Sequence, residues 1–411
     1  MTRTSIVLLT AAVLVGCGRR GAVPLSYDPP GSTITTSKPI EMPVRQSWDL
    51  VGGIGVSNDY AGARLNGLER RADSLLVGTI HPENAPINNS AWFGFKIWAE
   101  SPRSVWVRLE YEDGDHRYVP KLSRNGTEWE PIDSGDFRVD TSGVRRAGEM
   151  RLHLSSDTLW VSGQERIVSG QFMDWTALVA AHPDVESVLV GHSTYGKPIT
   201  GLDIGPAEEV NEYVLIISRQ HPPEVTGTHA VLTFVERLLE DDELARAFRA
   251  RYRTLVVPLV NPDGVDDGHW RHNAGGVDLN RDWLSFNQPE TKAVSTWFVE
   301  RVGGGTVRFA ADFHSTQNDV FYTTSRSLET NTPGLIDAWL GDIARALPDY
   351  YVNDDPSGVD SPVSKAWFYK TFRATALTYE VGDEQDRATI AAVSTAGAES
   401  MMQRLLAVPA N

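Results

Sequence analysis

Gln220-His221-Pro222-Pro223-Glu224 sets an imidazole and a carboxylate three residues apart, after an apolar run and before a helical pattern. Proline is excluded from helix interiors but accepted in the first turn, so the segment reads as a strand-to-helix corner. Both side chains can there turn toward one point beyond the sheet edge. Imidazole nitrogen and carboxylate oxygen suit zinc, and three protein ligands plus water make a catalytic site. The spacing is not the His-Glu-x-x-His helix pattern, so the site is not of that metalloprotease class. A third ligand must come from another strand end, and His314 in Ala311-Asp-Phe-His-Ser315 is the natural candidate. Glu380, in Thr378-Tyr-Glu-Val-Gly-Asp383, closes a further strand and brings a carboxylate to the same rim. Between them, Asn261-Pro-Asp-Gly264 reads as a turn. Trp270-Arg-His-Asn273 and Gly276-Val-Asp-Leu-Asn-Arg-Asp-Trp283 crowd polar side chains together, and two arginines among them suit a carboxylate or an oxyanion. His229, His269 and His272 end no strand and read as loop or surface residues.

These side chains need a sheet to hold them. Glu212–Ser218, Thr254–Val260, Val307–Phe313 and Ala374–Tyr379 are short apolar runs with the character of buried strands, and Val225–Glu240 has helical periodicity. Strands interleaved with helices predict an α/β region over 170–411, with a mixed, mostly parallel central sheet and helices on both faces. Ligands of open α/β sheets sit outside the carboxyl ends of the strands, where the candidate residues fall.

Residues 45–165 read as a preceding all-β sandwich of roughly seven to nine strands. Val105, Val107, Leu109 and Tyr111 alternate with Trp106, Arg108, Glu110 and Glu112, and Trp92–Trp98 is a second β-rich run. Asp113-Gly114 and Asn125-Gly126 are hairpin-turn dipeptides. The region carries no cluster of His, Asp and Glu, which leaves it a supporting or substrate-gating role.

The 411 residues hold 38 Lys and Arg against 54 Asp and Glu, a net charge of −16 that argues against nucleic acid as a partner. The one cysteine, Cys17, rules out intrachain disulfides and cysteine metal cages. It ends a stretch with a positive start and a short greasy run, the pattern of a secretory signal over residues 1–16. Leu14-Val-Gly-Cys17 resembles the lipobox of bacterial lipoproteins, which implies a lipid on Cys17 and attachment to the membrane through that anchor only. Gly18 replaces the aspartate that retains such proteins at the inner membrane, so the expected address is the cell envelope, at the outer membrane or surface. Residues 17–44, rich in Pro, Gly, Ser and Thr, read as a flexible tether.

His221-x-x-Glu224, Asn261-Pro-Asp-Gly264, Trp270-Arg271, Gly276-Val-Asp-Leu-Asn-Arg281, His314-Ser315 and Glu380 stand in the order of the zinc carboxypeptidase family, peptidase family M14. His192-Ser-Thr-Tyr-Gly-Lys-Pro-Ile199 is similar to a further stretch of that family, and the resemblance covers about 170–400. The β region resembles the N-terminal domain of cytosolic-type carboxypeptidases. The resemblance implies one Zn2+ per chain on His221, Glu224 and His314, with Glu380 as general base toward a zinc-activated water. Arg271 would stabilise the oxyanion, Asn280 and Arg281 would hold the substrate's terminal carboxylate, and Asp278 would orient the His221 ring. The implied activity is release of the C-terminal residue from peptides or proteins. Alternatives are a zinc amidohydrolase acting on peptidoglycan stem peptides or N-acyl amino acids, and an inactive surface-binding lipoprotein.

Two departures from the family stand out. Its substrate-capping tyrosine is missing at the expected spacing, where Gly358 falls, with Tyr350 and Tyr351 upstream and Tyr369 downstream. Counting back from Glu380 puts Lys365 in the side-chain pocket, where it would favour an acidic C-terminal residue such as Glu.

Overall fold

A computed structural model describes residues 38–409. The signal-like residues 1–16, Cys17 and most of the 17–44 segment therefore lie outside the described residues. The part of that segment within them, 38–44, is laid against the folded body. Lys38 N donates to Gly275 O at 2.9 Å, and Glu41 N donates to Glu83 O at 2.6 Å.

The β region forms two facing sheets of six and five strands, more strands than the sequence suggested. Arg103–Tyr111 shows the expected alternation, and Val105, Val107, Leu109 and Tyr111 enter a core shared with Phe95, Ile97, Leu159 and Val161 of the other sheet. Asn125-Gly126 does join an antiparallel pair, Lys121–Ser123 and Glu130–Pro131. Asp113-Gly114 does not make a hairpin. Asp113 takes the positive φ its type tolerates (58°), but the chain leaves Arg103–Tyr111 in one sheet for Lys121–Ser123 in the other.

The α/β region holds a seven-stranded sheet in the order Val185–His192, Pro198–Ile204, Arg253–Val257, Glu212–Ser218, Thr306–Thr316, Thr375–Gly382, Val320–Thr323. Four strands, from Arg253–Val257 to Thr375–Gly382, are mutually parallel; Pro198–Ile204 and Val320–Thr323 flank them antiparallel, and Val185–His192 pairs antiparallel with Pro198–Ile204. Glu212–Ser218 is buried at every position, which is why it reads as one apolar run rather than an alternation. Val214 and Ile216 pack with the helices Val225–Leu238 and Arg387–Leu406, whereas Leu215 and Ile217 pack with Pro289–Val302 and Ser364–Phe372. The mixed sheet with helices on both faces is thus as expected.

The two regions interlock. Trp270 and Val225, from the α/β region, belong to the core of the two-sheet unit. Trp270 Nε1 donates to Trp92 O at 3.1 Å, and a Cβ on Gly114 would collide with the Trp270 ring.

Candidate active site

The candidate residues gather at the carboxyl ends of the parallel strands. Glu224 stands at the start of the helix Val225–Leu238, and this helix approaches the next strand so closely that a Cβ on Gly227 would strike the His314 carbonyl. His314 and Glu380 are direct register partners on adjacent parallel strands, so their side chains leave the sheet side by side. Asn261-Pro-Asp-Gly264 is a short helix, Pro262–Asp266, rather than a plain turn. Asn261 caps it by accepting from Gly264 N at 3.0 Å, and proline fills the first helical position. The Asn261 Nδ2 donates to Gln220 O at 3.0 Å and His272 O at 3.2 Å, which ties the His221 corner to the Arg271 segment.

His221, Glu224 and His314 are buried and bring their ligating atoms within 4.8 Å of one another. His221 Nδ1 lies 2.7 Å from Glu224 Oε1, and His314 Nδ1 lies 2.6 Å from Glu224 Oε2. The far nitrogens are also engaged, His221 Nε2 with Asp278 Oδ1 at 2.9 Å and His314 Nε2 with Asp312 Oδ2 at 2.7 Å. If each Nε2–H donates to its aspartate, each Nδ1 turns a lone pair toward an anionic carboxylate. Only a proton or a cation between these groups relieves that arrangement, and two imidazoles with one carboxylate are a zinc donor set. The electrostatics of the metal-free chain agree. Burial would lower the His314 pKa, but Asp312 and Glu224 hold it well above the ordinary value. Burial would raise Glu224, but His221 and His314 hold it below the ordinary carboxyl range.

Asp278 is fully buried and shared. One oxygen meets His221, while the other accepts from Arg271 Nε at 2.7 Å. Burial works against its charge, yet Arg271 and His221 keep its pKa well below normal. Glu380 differs. Its Oε2 has no hydrogen-bond partner among the described residues. Its pKa is pushed up to about 7 by burial, with His314 opposing and Glu224 adding.

His221, Glu224, Arg271, Asn280, Arg281, Lys365 and Glu380 line one cleft of about 800 Å3. Asn280 is partly committed to the frame, since its Oδ1 accepts from Ser364 N at 3.0 Å and its Nδ2 sits 3.3 Å from His314 Nε2. Arg281 Nη1 donates to Asn280 O, while its Nε finds no partner among the described residues. Lys365 is buried and donates to Thr323 O at 3.1 Å and to the Ser357 hydroxyl. Its acceptors are neutral, and burial lowers its pKa to about 8 against the pull of Asp355 and Asp354.

Of the tyrosines considered for capping, Tyr350 donates its hydroxyl to Asp319 at 2.6 Å, Tyr369 is buried against Arg373, and Tyr351 is exposed. None lines the cleft, whereas Tyr322 does, paired across the strands with Thr378. Sequence reasoning missed Tyr322. It also missed Asp312, although the one carboxylate in the Val307–Phe313 run, two residues before His314, was a visible signal. Gln220, at the same corner, belongs to this frame as well. Its Nε2 donates to Asp312 at 2.7 Å and its Oε1 accepts from Trp283 Nε1 at 2.7 Å. His269 and His272, expected at a loop or surface, do lie outside any helix or strand but are fully buried under the two-sheet unit, where His272 pairs with Asn84.

Residues 172–287 match the family model described as zinc carboxypeptidase. That stretch contains His221, Glu224, Arg271, Asp278, Asn280 and Arg281 and ends before His314 and Glu380. An uncharacterized protein of Zymomonas mobilis is 28% identical over 310 residues, which cover 71% of this chain and 78% of that protein. Cytosolic carboxypeptidase 2 of Danio rerio is 31% identical over 141 residues, 32% of this chain, and the match spans 19% of that relative's length. Among solved structures, the metallo-carboxypeptidase from Burkholderia cenocepacia gives a TM-score of 0.72 at 19% identity, covering 86% of this chain and 99% of its own. The metallo-carboxypeptidase from Pseudomonas aeruginosa, solved with (2-guanidinoethylmercapto)succinic acid, gives 0.70 at 18% identity, with 85% and 98% covered. The α/β region and the β-rich region ahead of it together have the fold of the metallocarboxypeptidases.

Proposed function

We propose that the protein is a zinc metallocarboxypeptidase that removes C-terminal residues, with a preference for acidic ones. The observation that carries the reading is the convergence of His221, Glu224 and His314, two of which share a cleft with Glu380, whose Oε2 has no hydrogen-bond partner among the described residues. Zinc held by those three residues would polarise the scissile carbonyl and make water a nucleophile at neutral pH. Glu380, with its pKa pushed up to about 7, is matched to accept the proton of the attacking water and return it to the leaving amine. Arg271, fixed through Nε by Asp278, offers its guanidinium to the oxyanion, where charge develops. Arg281 is suited to the terminal carboxylate, since its Nε has no partner among the described residues.

Lys365 supports the acidic preference, because a buried ammonium with neutral partners in a cleft gains most from an anionic side chain. Lys365→Met should lower kcat/KM for peptides ending in Glu by about 10- to 100-fold, the worth of a charged hydrogen bond, and spare those ending in Phe. In the native enzyme the preference should fade above pH 8, where Lys365 loses its charge. A native preference for C-terminal Lys would reject this assignment.

The whole reading is tested by metal content and by release of residues from peptides ending in Glu, Lys and Phe. One zinc per chain with release supports it. Zinc without release from any peptide would move the substrate to peptidoglycan stem peptides or N-acyl amino acids. A chain that binds no zinc would be a binding scaffold.

A further inference from the structure

We infer that Glu83, contributed by the two-sheet unit, is a positioning residue for Arg271, so that the N-terminal region completes the site. The inference rests on the role proposed above for Arg271. Glu83 is fully buried and gathers three successive backbone N–H groups from the other region. Its Oε2 accepts from Trp270 N at 2.8 Å, and its Oε1 accepts from Arg271 N at 3.0 Å and His272 N at 2.6 Å. Residues 270–272 belong to no helix or strand, so no ladder supplies acceptors for these donors. The carboxylate replaces one, as anion-binding nests of backbone N–H groups allow.

The neighbouring residue extends the grip. Asn84 Nδ2 donates to Gly276 O at 3.3 Å, and its Oδ1 meets the His272 ring. Arg271 is thereby fixed at both ends, its backbone by Glu83 and its Nε by Asp278, with its guanidinium lining the cleft. Glu83 stays ionised in this setting. Burial would raise its pKa, yet His269, His272 and Arg64 bring it to about 2. The same loop then runs on to Asn88, Asn89 and Ser90, which form part of the cleft wall.

A merely structural role, gluing two regions together, would lower stability without singling out Arg271. Glu83→Gln keeps the size but removes one acceptor and the charge. It should lower kcat by about 100-fold, the effect of a displacement near 1 Å at a catalytic group, with KM and zinc content held within about twofold. Glu83→Asp, which keeps the charge, should restore part of the rate. In an Arg271→Ala background, Glu83→Gln should cost no further kcat, because its effect travels through that side chain. Equal losses in both backgrounds would overturn the inference.

Hydrogen exchange supplies a readout that needs no activity. The amides of Trp270, Arg271 and His272 should exchange faster in Glu83→Gln and in Glu83→Asp, while those of Glu212–Ser218 stay protected. Unchanged exchange at 270–272 would overturn the inference. A native chain that hydrolyses no peptide would overturn the proposed function, and the exchange experiment would still decide whether the clamp exists.

Discussion

Glu380→Gln should abolish peptide hydrolysis and leave zinc bound, with a loss in kcat of about 100- to 10,000-fold, the range ascribed to general acid–base catalysis. The ligands His221, Glu224 and His314 do not depend on Glu380 for hydrogen bonds, so the metal content should not change. The metal-free protein should show a second, opposite effect. The Glu380 pKa is raised to about 7 from 4.5, so between those values the folded chain binds more protons than the unfolded chain. Its stability therefore falls as pH rises through this window, and the penalty persists above pH 7. A shift of this size corresponds to roughly 3 kcal/mol. Glu380→Gln removes the penalty, so metal-free Glu380→Gln should be more stable than the metal-free native chain at pH 8 and no more stable at pH 4. Denaturant titration of both at the two pH values checks the sign. A variant that is less stable at pH 8 would mean that Glu380 is not an ionisable group held against its preference.

Asp278→Asn should damage two functions at once, because one carboxylate serves both His221 and Arg271. An amide can accept from only one of these donors with its oxygen, and its NH2 then faces the other. Replacing the partner of a metal-bound imidazole lowers metal affinity by about 10- to 100-fold. The arginine loses its orienting anion as well, so kcat should remain depressed even when zinc is supplied in excess. Measuring activity across a zinc titration separates the two. Full recovery at saturating zinc would show that Asp278 acts on His221 alone.

Much of the α/β region is legible in the sequence because buried parallel strands leave a simple trace. Glu212–Ser218 is an apolar run, Tyr213 to Ile217, between polar ends, with the bounds the sequence indicates, and the residues with metal-binding chemistry follow such runs directly. His221, Glu224 and His314 can be proposed together because strand ends in one sheet share an edge, whatever their separation along the chain. The contribution of the two-sheet unit leaves no comparable trace. Glu83 acts on an amide 188 positions away, and nothing local distinguishes it from a solvated carboxylate. The loop position of His269 and His272 is legible but their burial is not, since what buries them is the docking of a distant surface. Asp113-Gly114 shows a subtler limit. Turn chemistry specifies a positive φ at Asp113 but does not specify which strands the turn will join.

Trp270 stands one residue from Arg271 and fills the interior of the two-sheet unit. A side chain that completes a neighbour's core makes the two regions thermodynamically inseparable, because withdrawing it would leave a large cavity on one side and an unsupported segment on the other. Unfolding should accordingly be one cooperative event, seen as coincident transitions by tryptophan fluorescence and circular dichroism, and two resolved transitions would contradict this. The chain would then have no half-folded form that keeps the cleft intact, and damage far out in the β-sheets would register as loss of the whole molecule rather than as a local defect.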